Sequence, residues 1–390
     1  MIPYNRQNIS SLDIKKVIKT LKSDYITTGL EVPRFEKKIT EIVKSKYAVV
    51  CNSATSALHL SCIVLGLKKN DTIWTSANGF VADANCALYI GSKVEFVDIE
   101  KSSFNLDCEY LEKRLWTSKK NNTLPKILIP IHFGGSPCNM ERIHFLSKKF
   151  NFKIIEDASH ALGGFYNKNP IGICKYSDLT VFSLHAVKMI TTGEGGVITT
   201  NNRTLYEILL SLRSHGIIRE NKKLINKNMP NWYYEQRFLG FNYRMTDIQA
   251  SLGISQLKRL NFFIRERRKI ADFYNKNLKL LPINTPKDKK GFRSTYHLYV
   301  ITINKKLRNK LYNYLLNKGV KCNFHYIPTY RQPYYRRFNY KRKNYPNMEL
   351  YYKSGISLPI YVGLKQKELK YIVKLIKDFL NFNKIKNNNA

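Results

Sequence analysis

Between residues 47 and 200 of this chain, seven short apolar runs recur, each closed by polar residues, and most are followed by a segment with helical spacing. Tyr47 to Cys51 (YAVVC) leads into Asn52, Ser53, Ala54 and Thr55, and then into Ala57, Leu58, Ser61, Cys62 and Leu65 at the spacing of one helix face. That is strand, turn, helix. The same reading predicts strands at Thr72 to Thr75, Lys93 to Val97, Lys126 to Ile131, Lys153 to Ile155, Thr180 to Leu184 and Gly196 to Thr200. Strands alternating with helices predict an α/β architecture with a largely parallel sheet covered on both faces. No repeat at a period of 20 to 50 residues is present, which argues against a solenoid or a propeller.

From about residue 262 the texture changes. A charged helix with Arg265, Arg267, Arg268 and Lys269 leads into a mixed region that ends in an amphipathic helix near Gln366 to Phe379. The expected division is an N-terminal segment and large domain at 1–261, a smaller α+β domain at 262–380, and a tail at 381–390 that ends in NKIKNNNA without apolar periodicity.

Composition narrows the function classes. With 43% hydrophobic and 13% aromatic residues, the 390-residue chain can bury large cores and lacks the low hydrophobicity of a disordered protein. No run approaches the length of a membrane span, and MIPYNRQNIS opens without a secretory apolar region, so the cytoplasm is the expected compartment and no membrane partner is expected. The seven cysteines are scattered without a C-x-x-C pair, so buried thiols and no metal site are expected. The net charge of +38 invites a nucleic-acid reading. The basic residues are nevertheless spread along the whole chain with no nucleic-acid motif beside them, so no nucleic-acid partner is expected, and the positive field would instead draw anionic small molecules.

Three polar sites fall where apolar strands end, which is where open parallel sheets place ligands. The first, Asn52 to Ser56, combines hydroxyls with a helix N-terminus and suits a phosphate, although an ordinary N-cap by Asn52 or Ser53 accounts for the same residues. In the second, Ile154 and Ile155 run into Glu156 and Asp157; a carboxylate at such a strand end needs a cationic partner or serves as a plain N-cap. The third places Lys188 between a strand and a Gly-rich turn, in a segment almost free of other charge, where a desolvated amine can act as a nucleophile toward an aldehyde. Phosphate cradle, aspartate and, 31 residues further on, lysine match the three anchors of pyridoxal phosphate: its phosphate, its ring nitrogen and its aldehyde.

Over residues 3 to 375 the sequence resembles the DegT/DnrJ/EryC1/StrS sugar-nucleotide aminotransferases, which have the aspartate-aminotransferase fold (fold type I). The segments that carry the resemblance include DYITTG, PRFEKKI, NSATSALHL, TSANGFVADANCALYIG, IPIHFGG, IIEDASHALGG, FSLHAVKMITTGEGG, LRSHGI, GFNYRMTDIQASLGISQL and HYIPTY. The resemblance implies a mostly parallel seven-stranded sheet and pyridoxal 5′-phosphate as cofactor. It makes Lys188 the catalytic Schiff-base lysine and Asp157 the partner of the pyridine N–H. It also implies that Thr55, Ser56 and Ser183 hold the phosphate, that Phe80 stacks on the ring and that His160 lies beside it. Asn242 resembles a residue that reaches the cofactor or substrate from the neighbouring subunit, which implies a homodimer. Bottom-up, Thr246 to Gln249 fits a capping box that leaves Asn242 and Arg244 near a helix N-terminus. The sequence departs from the family pattern at Ala77, Gly79 and Leu184, and Gly79 could loosen Phe80.

Within the family, the segments Tyr233 to Asp247 and His325 to Tyr335 look most like enzymes that make UDP-4-amino-4,6-dideoxy-N-acetyl-β-L-altrosamine on the way to pseudaminic acid, with glutamate as amino donor. By that resemblance Tyr4, Asp24, Tyr25, Ile26, Thr27, Asn242, His325, Tyr326, Ile327 and Pro328 line the sugar-nucleotide pocket. The readings left open are an aminotransferase for a D-configured 4-keto or a 3-keto sugar nucleotide, a non-catalytic cofactor-binding regulator, and a basic nucleic-acid binder.

Overall fold

The computed structural model describes residues 1–388. Helices α1 (Ser11–Leu21) and α2 (Glu31–Val43) precede the first strand. The central sheet is built from β1 (Tyr47–Cys51), β2 (Thr72–Ser76), β3 (Lys93–Val97), β4 (Ile127–Ile129), β5 (Lys153–Asp157), β6 (Leu179–Ser183) and β7 (Gly196–Thr200). These seven strands are the seven expected from the sequence, with ends differing by one or two residues. Their order is β1-β7-β6-β5-β4-β2-β3, and only β7 runs antiparallel to its neighbours. The strands are buried along almost their whole length, which is why they read as continuous apolar runs rather than as alternating ones.

Helices α3 (Ala54–Val64), α4 (Val81–Leu88), α5 (Cys108–Lys120), α6 (Met140–Phe150) and α7 (Arg203–Leu212) follow the strands. α3 carries no charge and buries seven of its residues, among them Leu58, Leu60 and Cys62, in the largest core cluster. α8 (Asp247–Leu257) opens with the expected capping box: the Gln249 N–H donates to Thr246 Oγ1 at 3.2 Å, and the Thr246 N–H donates to Gln249 Oε1 at 3.0 Å. All seven cysteines are buried and unpaired. Among the described residues no helix is long and apolar enough to cross a membrane.

The C-terminal region packs α9 (Leu260–Leu278), α10 (Arg308–Asn317) and α12 (Gln366–Asn388) against an antiparallel pair, β8 (Tyr299–Thr302) and β9 (Gly355–Leu358). Its core holds Tyr274, Leu311, Leu315, Ile372 and Ile376. Three details differ from the division expected from the sequence. The boundary at 262 falls inside the first turn of α9, because the amphipathic face of that helix starts at Leu260. Ile2, expected with the large domain, pairs with Val320 and lies in the C-terminal core. α12 continues to Asn388, where the sequence reading had begun a tail; positions 389 and 390 lie outside the described residues.

The two regions are tied by the stretch from Phe324 to α11 (Pro346–Ser354). The Asn347 and Met348 N–H groups both donate to the Asp98 carboxylate at 2.9 Å, and Tyr330, Tyr335 and Tyr345 surround Phe96 of β3. This anchorage brings His325 and Tyr326 against the C-terminal ends of the parallel strands.

Candidate active site

At those strand ends lies a cavity of about 600 Å³. β1 hands over to α3 through Ser53, whose extended backbone and side-chain oxygen form the N-cap: the Ser56 N–H donates to Ser53 Oγ at 3.1 Å. Ser53, Ala54 and Thr55 face the cavity, and no hydrogen bond among the described residues takes the Ala54 or Thr55 amide. Two free amides with a helix dipole behind them form an anion site. Ser56, expected beside Thr55 on the phosphate, turns inward, and its hydroxyl donates to Asn52 Oδ1 at 2.7 Å. Gly196 makes the close approach possible, because a Cβ there would lie 2.3 Å from the Ser53 carbonyl oxygen.

β5 ends in Asp157, which is 6% exposed and accepts the Ser159 N–H on Oδ1 at 2.8 Å. β6 ends in Ser183, and the loop beyond it delivers Lys188 into the same cavity. Burial pushes the Lys188 amine down to about 8, against the pull of Asp157, which favours the charged form. Among the described residues the amine makes no ion pair or hydrogen bond, so nothing in the chain occupies it.

His160 is buried beside Lys188. The Gly134 N–H donates to its Nδ1 at 3.3 Å, which leaves the ring proton on Nε2, 3.1 Å from the Tyr326 hydroxyl. Burial first, and then the charges of Lys188 and His325, hold His160 well below the usual histidine range. His325 is driven down to about 3 by burial and then by the Lys188 charge; it accepts from Asn323 Nδ2 on Nε2 and faces Ser357 Oγ at 2.8 Å through Nδ1. Both rings are therefore neutral at physiological pH. Phe80 caps the start of α4 at the cavity edge, 55% exposed, with its ring 5.5 Å from Tyr326 and free to accept a planar partner.

The structure thus gathers Thr55, Phe80, Asp157, His160, Ser183, Lys188, Tyr4, His325 and Tyr326 into one cavity. It does not bring in the others within this chain. Asp24, Tyr25, Ile26 and Thr27 are exposed, held near the start of α8 where the Asp247 N–H donates to the Ile26 carbonyl at 3.0 Å. Asn242 is exposed and pairs with Ser214, while Ile327 is exposed and Pro328 buried, both off the cavity wall. Sequence reading missed Asp83, His297 and Asn323, which line the cavity; Ser53, read there as part of the phosphate turn or as an N-cap, lines it too. His297 carried a signal, being a lone imidazole in an aromatic and aliphatic run, YHLYV.

Pyridoxal phosphate fits these residues. Free helix amides meet an anion, a buried carboxylate meets a protonated ring nitrogen, an unpaired and partly neutral amine meets an aldehyde, and an exposed phenyl face meets the ring.

The sequence profile described as the DegT/DnrJ/EryC1/StrS aminotransferase family matches residues 7–377. A UDP-4-amino-4,6-dideoxy-N-acetyl-β-L-altrosamine transaminase of Campylobacter jejuni is 38% identical over 376 residues, 95% of this chain and 96% of the relative. Among solved structures, Helicobacter pylori PseC, an aminotransferase involved in the biosynthesis of pseudoaminic acid, superposes with a TM-score of 0.87 at 29% identity, over 97% of this chain and 99% of that one. Spr1654 of Streptococcus pneumoniae in its PLP form superposes with a TM-score of 0.87 at 28% identity, over 97% of this chain and 98% of that one.

Proposed function

We propose that this chain, which belongs to the DegT/DnrJ/EryC1/StrS aminotransferase family and is a pyridoxal-phosphate-dependent sugar aminotransferase, moves the amino group of glutamate to C4 of a UDP-linked 4-keto-6-deoxy-N-acetylhexosamine. Glutamate leaves as 2-oxoglutarate, and the C4 carbonyl of the sugar becomes a C4 amine. The product is UDP-4-amino-4,6-dideoxy-N-acetyl-β-L-altrosamine, an intermediate for pseudaminic acid and so for a surface glycan, made in the cytoplasm. The observation that carries the substrate class is the 38% identity, over nearly the full length of both chains, to a transaminase named for that product.

Bound pyridoxal phosphate supplies an aldehyde that takes up the donor's amino group and a ring that accepts the electrons left at the donor α carbon. Lys188 is the residue that would hold the cofactor at its aldehyde. Its amine, when free, would take the proton from the donor α carbon and serve as the acid that returns it. An amine held down to about 8 is neutral often enough near pH 7 to serve as that base. Asp157 keeps a positive charge on the ring nitrogen, and its bond from the Ser159 amide fixes its direction. Ser53, Thr55 and the first amides of α3 bind the phosphate, assisted by Ser183, while Phe80 covers one ring face. His160, in its neutral Nε2–H form, orients groups beside the ring through Tyr326. Tyr4, His325 and Tyr326 form the wall met by the sugar nucleotide.

The site is completed by a second copy of the chain. Asp24 to Thr27 and Asn242 lie on the surface rather than in the cavity, and Tyr25, Leu30, Ile225, Trp232 and Leu239 are exposed apolar residues in the neighbouring stretches of sequence. An apolar surface of that kind suits burial against a partner, which would carry Asn242 and the 24–27 segment to the other cavity.

The test is a coupled assay with glutamate and a set of keto sugars, with products resolved by NMR. The UDP-linked L-configured 4-keto sugar is expected to turn over at least about tenfold more efficiently than GDP-linked, D-configured or 3-keto substrates, a gap of one well-made specificity contact. Preference for any of those three overturns the substrate reading.

A further inference from the structure

Asp83 takes no part in the mechanism above, yet it stands in the same cavity. It occupies the first turn of α4, is 1% exposed, and neither carboxyl oxygen has a hydrogen-bond partner among the described residues. No cation pairs with it. Its carboxyl group and that of Asp157 line the same cavity, and the Asp157 charge disfavours ionisation of Asp83. Two buried carboxylates cannot face each other both ionised; one of them must carry a proton between them.

Which one carries it follows from their other partners. Asp157 already accepts the Ser159 amide on Oδ1 at 2.8 Å. Asp83 receives no donor at all. Room for the pair comes from Gly79: a Cβ there would lie 2.8 Å from Asp83 Oδ2 and 2.5 Å from Ile131 Cδ1. The absent side chain at position 79 is thus used by the one at position 83.

We propose that Asp83 is a positioning residue, held in its acid form, whose O–H donates to Asp157 and keeps that carboxylate ionised and aimed at the cofactor ring nitrogen. Its link to the cofactor rests on the role given to Asp157 above, whereas its protonation does not. Burial and then the Asp157 charge hold Asp83 well above the usual carboxyl range, with the Lys188 amine opposing. The other titratable groups in its surroundings are Cys86 on its own helix and Tyr326 and Tyr335 from the C-terminal region, all neutral at physiological pH.

The decisive experiment is infrared difference spectroscopy of the cofactor-free full chain at neutral pH. The expected result is the carbonyl stretch of a buried protonated carboxyl group, lost in Asp83→Asn. If that variant does not fold, Asp83→Thr, a smaller neutral donor, replaces it. Absence of the band in the wild type, or a band of undiminished intensity in the variant, overturns the proposal whether or not the cofactor binds. On the loaded protein, Asp83→Asn should keep cofactor affinity within about threefold by equilibrium dialysis. Asp83→Ala, lacking the donor to a charged group, should lose about tenfold or more. Equal losses in the two variants would also contradict a hydrogen-bonding role.

Discussion

Lys188 is under two opposed influences, desolvation that favours the neutral amine and the nearby Asp157 carboxylate that favours the charged one, and desolvation is the larger. The penalty for charging it in the fold is fully present below pH 8, where folded and unfolded chains both hold the proton. It is gone above about 10.5, where both have lost it. Lys188→Met should therefore stabilise the cofactor-free protein at pH 7 by up to about 3 kcal/mol, with the gain shrinking toward zero by pH 10. Denaturant unfolding at the two pH values checks this; an equal gain at both would mean that the amine is not desolvated. His160 and His325 are neutral across this range, so the titration is not confused by them. Lys188 and Asp157 were legible in the sequence because their order and spacing relative to the small-residue run after β1 carry chemical meaning. Asp83 was not, because an acid in the first turn of a helix is what the helix dipole favours in any protein, and nothing local says that it is buried against a second carboxyl group.

At the scale of elements, what builds the site is the junction between strand and helix. The expected N-cap and the expected anion site turned out to be the same turn: Ser53 caps α3 while the amides beside it stay open to the cavity. Sequence alone indicated Thr55 and Ser56 and could not tell which hydroxyl faces inward, since that depends on where the helix starts. Ser53→Ala should cost about 1 kcal/mol of stability through the lost cap, measured by thermal melting of the cofactor-free protein. A change within experimental error would show that the first turn is held by something else. Gly79→Ala brings a methyl group against Ile131 and Asp83 and should destabilise by about 1–3 kcal/mol. An unaffected melting temperature would mean that the Asp83 side chain has freedom to move away. The glycine at 79 thus has a packing reason of its own, apart from any effect on Phe80.

On the scale of the whole molecule, seven strands were readable because both faces of the sheet are covered and each strand is a continuous apolar run. The N-terminal and C-terminal ends were less readable. Ile2 joins a core more than 300 residues away, and α12 continues along a polar asparagine and lysine stretch that has no periodicity of its own. The substrate residues at 24–27 and 242 could be named from resemblance, but a single chain leaves them outside the cavity. If Asn242 serves a neighbouring subunit, Lys188→Ala and Asn242→Ala dimers, each inactive, should regain activity when mixed and allowed to exchange, because one site of each hybrid carries neither change. Full recovery is one intact site per hybrid dimer. No recovery, with exchange demonstrated, places Asn242 in its own subunit's site.

The most direct test of the central claim is borohydride reduction of the cofactor-loaded protein followed by peptide mapping. The account predicts a single phosphopyridoxyl adduct on Lys188, formed in the wild type and absent after prior saturation with glutamate. An adduct on another lysine, or none with cofactor in excess, would contradict it.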